Sequence, residues 1–248
     1  VKGYGSGTGP GHHALELPHP PFLPAAGAVL VLHGGRADSP TPPPLLNLPG
    51  LRMRPFARAM EQDSLFADVL VAFVRYRLRG WNGHRADPVQ DARRALEELR
   101  DAAGPLPVVL VGHSMGARAA LRAADDPQVR GVVALAPWCP PDEAVAHLAG
   151  RTVMALHDQA DQITSATDTW NYLRRARAAG ALVRGIRMPR GRHTMIRDAR
   201  RWHRLTTACA ATVLGLGPPP GGGQSDERTW STALVDADDI TLPVRRPG

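Results

Sequence analysis

Residues 108–116 read Val-Val-Leu-Val-Gly-His-Ser-Met-Gly, and an alanine-rich run follows at once as far as Ala124. Val108 to Val111 is a short, wholly apolar, mostly β-branched stretch of the kind that forms a strand buried on both faces. The run after Ser114 has the composition of a helix. A strand that passes into a helix within so few residues must turn sharply. Gly112 and Gly116, two before and two after Ser114, remove the side chains that would collide in such a turn. Ser114 is thereby set at the apex, at the N-terminus of the helix, where the backbone dipole favours a developing negative charge. A serine that merely caps the helix would leave unexplained the buried strand leading directly into Gly112.

Outward from this unit the same alternation continues. Strands are expected over Ala28–Leu32, Val69–Val74, Val108–Val111, Val132–Ala136, Thr152–Leu156 and Val183–Met188. All but the last are almost entirely apolar. The last carries Arg184 and Arg187 and therefore belongs nearer an edge of the sheet. Amphipathic runs fill the gaps: Met53–Gln62, Pro88–Ala103, Met115–Ala124, Ser165–Ala179 and Ile196–Val213. Asp87-Pro88 reads as a capped helix start and Gly180 as a helix stop. The fold class is α/β, a predominantly parallel central sheet flanked by helices.

The ends read differently. Residues 1–24 are rich in Gly, Pro and His, with only Ala14–Leu17 resembling a short strand, and form a flexible lead-in. The domain spans 25–214. Pro218-Pro219-Pro220 and three glycines then make a linker, and Gln224–Gly248 is a flexible tail or a docking strand, with the tail preferred. The chain has 248 residues, 43% hydrophobic and 21% charged, which suits one sizeable core. Its +7 charge comes from arginines scattered over many presumed helix faces, so no nucleic-acid partner is expected. Cys139 and Cys209 lie in no metal or redox spacing. No apolar run reaches the roughly 18 residues of a membrane span, and no signal-peptide order opens the chain, so a cytoplasmic protein is expected.

A serine hydroxyl needs a neighbouring base, and the base an orienting acid, in the chain order serine, acid, histidine. Downstream of Ser114 the sequence offers His157-Asp158-Gln159-Ala160-Asp161 after one strand and Gly191-Arg192-His193 after the next. Upstream, Val31-Leu32-His33-Gly34-Gly35 ends an early strand. With these motifs in place the chain from Ala28 to Val213 resembles the α/β-hydrolase superfamily, of the esterase or lipase kind with a short cap, dienelactone-hydrolase-like or cutinase-like. The resemblance implies Ser114 as nucleophile, His193 as base and Asp161 as acid. It also implies an oxyanion hole from the backbone amides of Gly35 and Met115. Asp158 stands where the family pattern has glycine and is the rival acid, although a turn role suits it. The side chain of His33 is read as a brace for its loop.

Between Ala136 and Thr152 only Pro137–Arg151 is available, too little for a cap domain, so the site should be open. Ala136-Pro137-Trp138 resembles the strand end of cutinase-like and polyester-hydrolysing members, which makes Trp138 a candidate substrate contact or a packing residue. His113, Trp81 and Arg75 are further candidates. The last two lie on the Arg75–Gly83 segment, at the strand edge where open α/β folds bind ligands. No metal cluster or phosphate loop is present, and no cofactor is expected. The implied partner is a small ester or acyl compound. Peptidase or acyltransferase chemistry on the same fold, and a binding protein without turnover, remain open alternatives, as does the oligomeric state.

Overall fold

The computed structural model describes residues 12–18, 21, 24–216 and the backbone of 238–240. Its centre is a sheet of eight strands in the order β1-β3-β2-β4-β5-β6-β7-β8. The strands are β1 (Leu15–Glu16), β2 (Gly27–Leu32), β3 (Val69–Val74), β4 (Val108–His113), β5 (Val129–Leu135), β6 (Thr152–Asp158), β7 (Leu182–Met188) and β8 (Asp238–Ile240). The six inner strands are parallel, and β1 and β8 add antiparallel edges. β7 lies beside that edge, as its arginines predict. The docking-strand possibility for the C-terminal segment has a counterpart in the pairing of β8 with β7. The linker before β8 lies outside the described residues.

Five helices cover the sheet: α1 (Leu48–Glu61), α2 (Asp87–Ala103), α3 (Met115–Ala123), α4 (Ala166–Ala178) and α5 (Ala199–Leu214). Alternation along the strands sorts their side chains into two cores. Ala28, Leu30, Leu32 and Leu110 pack with α2, α3 and α4. Val29, Val31, Val109, Val111 and Val133 pack with α1 and α5. Every residue of β2 and of β4 is buried, which is why both read as unbroken apolar runs.

After β2 the chain crosses to β3 on one side and returns to β4 on the other. That reversal is the switch point at which open α/β sheets leave a crevice at the strand ends. Leu32 pairs with Gly112 across it, so the loops starting at His33 and at Ser114 emerge side by side.

Three local expectations need correction. Helix α1 starts at Leu48 and not Met53: Leu48 and Leu51 face outward, so the inward period that marks a helix in sequence begins only at Met53. Helix α5 starts at Ala199 and not Ile196, because Met195 and Asp198 take left-handed conformations (φ 58° and 62°) that no helix accommodates. Asp87 is not a cap. Its carboxylate accepts bonds from Asn82 Nδ2 (2.7 Å) and Arg85 Nη2 (2.8 Å) and ties down the preceding loop. Gly180 follows α4 at φ +95°, the left-handed stop expected of it. Among the described residues no helix is long and apolar enough to cross a membrane.

Trp202 of α5 is fully buried, and its Nε1 donates to the Arg190 carbonyl at 2.8 Å, so it joins the α1/α5 core to the loop after β7. Trp202→Ala should therefore lower the unfolding free energy by about 4 kcal/mol; urea denaturation of the two proteins measures it.

Candidate active site

Ser114 sits between β4 and α3 at φ 55°, ψ −118°, a conformation costly for any residue with a Cβ. Its side chain caps nothing. The strain is enforced on both sides. A side chain on Gly116 would overlap the carbonyls of Leu32 and His33, and one on Gly112 would meet Gly116 O at 2.5 Å and Ala117 Cα at 2.6 Å. The turn is thus held by backbone packed on backbone.

Two loops bring the partners. His193 follows β7 in a loop whose Gly191 and Arg192 both have positive φ (131° and 48°). His193 Nε2 lies 3.0 Å from Ser114 Oγ, and Nδ1 lies 2.8 Å from Asp161 Oδ2. The carboxylate requires a proton on Nδ1, which leaves Nε2 as acceptor for the serine hydroxyl. Asp161 follows β6, with its side chain fully buried. Oδ1 accepts the amides of Ile163 (2.8 Å) and Thr164 (3.2 Å). Oδ2 accepts His157 Nε2 (3.1 Å) and Thr164 Oγ1 (2.9 Å) besides His193. Burial alone would raise this carboxyl, but the bonds from His157, His193 and the Ile163 amide outweigh it and hold it below the usual carboxylate range.

The rival carboxylate has another task. Asp158 accepts the Ala160 amide at 2.8 Å and the Arg192 amide at 2.7 Å, so it bridges the two loops that carry Asp161 and His193. His33 braces its own loop: Nδ1 donates to Gly34 O at 2.7 Å, and Asn47 Nδ2 donates to Nε2 at 3.0 Å. Gly34 and Gly35 lie flat on the turn. A Cβ at Gly34 would be 3.4 Å from Ser114 Cβ, and one at Gly35 would overlap the Met115 side chain and Arg79 O. His147 and His203 stand apart, the first on Leu121 O (2.8 Å) and the second against the Phe56 ring (4.5 Å).

The expected substrate contacts divide. Trp138 is half-buried beside the turn, and its amide donates to Ser114 O at 3.3 Å. Trp81 and His113, expected as direct contacts, are only 3% and 1% exposed. Trp81 is held beneath Trp138 by Arg118, whose guanidinium stacks 3.9 Å from one indole and 4.4 Å from the other. His113 lies under the base and donates Nε2–H to the His193 carbonyl at 2.9 Å. Arg75 is exposed at the end of β3, on the wall of a cleft of about 570 Å³ that also includes His33, Phe73 and Leu51. The connection Pro137–Arg151 contains only a single turn of 3-10 helix, Ala146–Leu148, and no cap domain.

Sequence reasoning missed five residues. His157, fully buried, binds Asp161 through Nε2, and its Nδ1 pairs with Thr169 Oγ1 at 2.8 Å. Its spacing of four from Asp161 was the available signal. Thr164 reaches both Asp161 and His193 Nδ1 (3.2 Å). Arg118 and Arg122 both pair with Glu143, whose side chain is fully buried, and nothing in the sequence links that carboxylate to them. Among the described residues no group of His, Cys, Asp and Glu could hold a metal ion.

Comparison with known proteins places the fold in a family. The model of the Alpha/beta hydrolase family matches residues 28–246. The chain belongs to that family. Compared with curated proteins it has no match. Among solved structures it is similar to an alpha/beta hydrolase from a Medee basin deep-sea metagenome library, with TM-score 0.61 and 17% identity over 77% of this chain and 86% of that one. It is also similar to a serine hydrolase without lid from Xanthomonas campestris, with TM-score 0.55 and 18% identity over 83% and 89%. A Pyrobaculum calidifontis esterase aligns with TM-score 0.57 and 15% identity over 77% and 76%. At these identities the likeness is one of fold. This α/β hydrolase shares its sheet with all three.

The buried imidazole of His113 makes a prediction. Burial, reinforced by the nearby His193 charge and opposed by the bond to its carbonyl, pushes His113 down to about 3 from 6.5. Between those pH values the unfolded chain holds a proton that the folded chain excludes, so stability falls as the pH drops from about 6.5 to about 3. The slope from this group is about 1.4 kcal/mol per pH unit. His113→Asn should flatten that loss in urea unfolding followed against pH.

Proposed function

We propose that this α/β hydrolase is a serine hydrolase that cleaves carboxylic esters, or the related thioesters and lactones, through an acyl-enzyme. The observation that carries the reading is the unbroken line from Ser114 Oγ through His193 to Asp161, with contacts of 3.0 and 2.8 Å. In the reaction His193 Nε2 takes the hydroxyl proton as Oγ bonds to the acyl carbon. The same proton then passes to the departing alcohol, and water repeats the sequence in reverse to release the acid.

Each step has its support in named groups. Asp161, held ionised, stabilises the imidazolium formed when His193 accepts the proton. The amides of Gly35 and Met115 serve the oxyanion, and a donor of this kind is worth about 3 kcal/mol in the transition state. Trp138 flanks the reacting group, and Arg75 lines the neighbouring cleft beside His33. Ile163 and Ile196, both exposed and close in sequence to Asp161 and His193, suit an apolar substrate. The substrate is a small acyl compound, and no step calls for a cofactor.

Short-chain nitrophenyl esters test the proposal. The native chain should give a burst followed by turnover, and Ser114→Ala and His193→Ala should each lose about three orders of magnitude or more in kcat. Equal rates for all three proteins would remove the hydrolase reading. His157→Phe tests the extra donor on Asp161. With that donor gone the carboxylate is more basic and holds the His193 imidazolium more tightly, so the acid limb of the pH profile should move to higher pH. At the same time kcat should fall about tenfold as Asp161 loses its orientation, and His157→Gln, which keeps a donor, should recover part of it.

A further inference from the structure

A contiguous set of large apolar side chains on a surface marks a contact, whereas isolated ones do not. Leu45, Leu46, Leu48 and Leu51 are 107%, 77%, 67% and 46% exposed, and they stand together on the loop before α1 and on its first turn. Leu48, Leu51, Pro55 and Arg58 recur at spacings of three and four, so they share one helix face, and all four are exposed. The opposite face, Met53, Phe56, Ala57 and Met60, is already committed to the core. The first two turns of α1 therefore carry a short apolar patch turned away from the protein, with Arg58 at its end.

The ledge is built rigidly. Pro42, Pro43 and Pro44 stiffen the approach. Asn47 is fastened to His33 at 3.0 Å, and the Leu51 amide donates to Asn47 O at 2.8 Å. Little conformational freedom is left to lose on docking.

Its charge is one-sided. From Ser39 to Met60, between Asp38 and Glu61, the chain has no Asp or Glu but carries Arg52, Arg54 and Arg58. Glu16, 3.1 Å from Arg54, is the one carboxylate paired with these three among the described residues. Apolar side chains flanked by arginines match the boundary of an anionic bilayer, where leucines enter the acyl region and guanidinium groups remain with the phosphates. Leu45 and Leu51 also line the cleft of about 570 Å³ that extends to His33. His33 in turn leads into Gly34, packed on Ser114.

We propose that the Leu45–Leu51 ledge docks this protein on an anionic lipid surface. Docking needs no catalysis. Its consequence, that amphiphilic esters enter the cleft from that surface, rests on the hydrolase reading.

Co-sedimentation of the full chain with vesicles tests the docking directly. The native protein should bind an equimolar phosphatidylcholine–phosphatidylglycerol mixture and bind phosphatidylcholine alone far less. The triple variant Leu45→Ser, Leu46→Ser, Leu48→Ser should bind the mixture about a hundredfold more weakly. Arg54→Gln with Arg58→Gln should abolish the preference for the anionic lipid. Thermal unfolding should be unchanged in the leucine variant, since none of its substituted side chains is in the core, and turnover of a short soluble ester should be unchanged in Leu46→Ser with Leu48→Ser, neither of which lines the cleft. Absence of native binding, equal binding to both lipids, or undiminished binding by the triple variant would overturn the proposal. So would a native dimer, seen by sedimentation velocity, that the leucine substitutions convert to monomer, because the ledge would then be a contact between copies. A chain that binds vesicles but turns over no ester would retain the docking and lose only the reading of its substrate.

Discussion

At the sheet's switch point β2 and β4 run side by side, and the first turn of α3 presses so closely on the end of β2 that only hydrogen fits between Gly116 and the carbonyls of Leu32 and His33. That contact sets the rest of the site. It leaves Ser114 at the apex of a strained turn, since neither strand nor helix can move away to relax it. It also lays Gly34 and Gly35 against Ser114 and Met115, where a larger residue would force the loop off the turn. A methyl group added at Gly116 would separate the two loops that any chemistry at Ser114 has to combine.

The other side of the site is governed by a buried charge. A carboxylate out of water is costly unless its lone pairs are filled, and Asp161 has two backbone amides on one oxygen and three side-chain donors about the other. These bonds keep it ionised and fix its direction. They also spread its basicity over His157, Thr164 and His193, so the pull on His193 is moderated as well as aimed. Asp158 and His113 complete the frame, for the side chain of each holds a backbone atom of the His193 loop.

Around Trp138 a buried cation does similar structural work. Arg118 lies between two indoles, and Glu143 pairs with both it and Arg122 from a position without solvent. Removing the carboxylate alone would leave a buried guanidinium uncompensated, which is worse than having neither partner. The network fastens the short connection after β5 over the turn, and this is how a connection too short for a cap domain still gives the site a wall.

Much of this was legible in the sequence because it depends on local physics. Unbroken Val-rich runs can only be strands buried on both faces, and glycines two before and two after a serine between strand and helix leave room for one kind of turn. From those features came the parallel sheet, its two layers of helices, Ser114, and the shortness of the connection after β5. His33 as a brace and the turn bond of Asp158 to Ala160 were legible too, because each is local, whereas the reach of Asp158 to Arg192 was not. What tertiary structure decided was everything that depends on which distant segments meet. The sequence placed Trp81 and His113 as substrate contacts, but burial depends on what packs above them. Glu143 has no pattern joining it to Arg118 and Arg122, since their meeting requires a connection to fold back over a helix. Leu48 and Leu51 look like any core leucines in a list of residues; only the orientation of α1 against the sheet turns them to the outside.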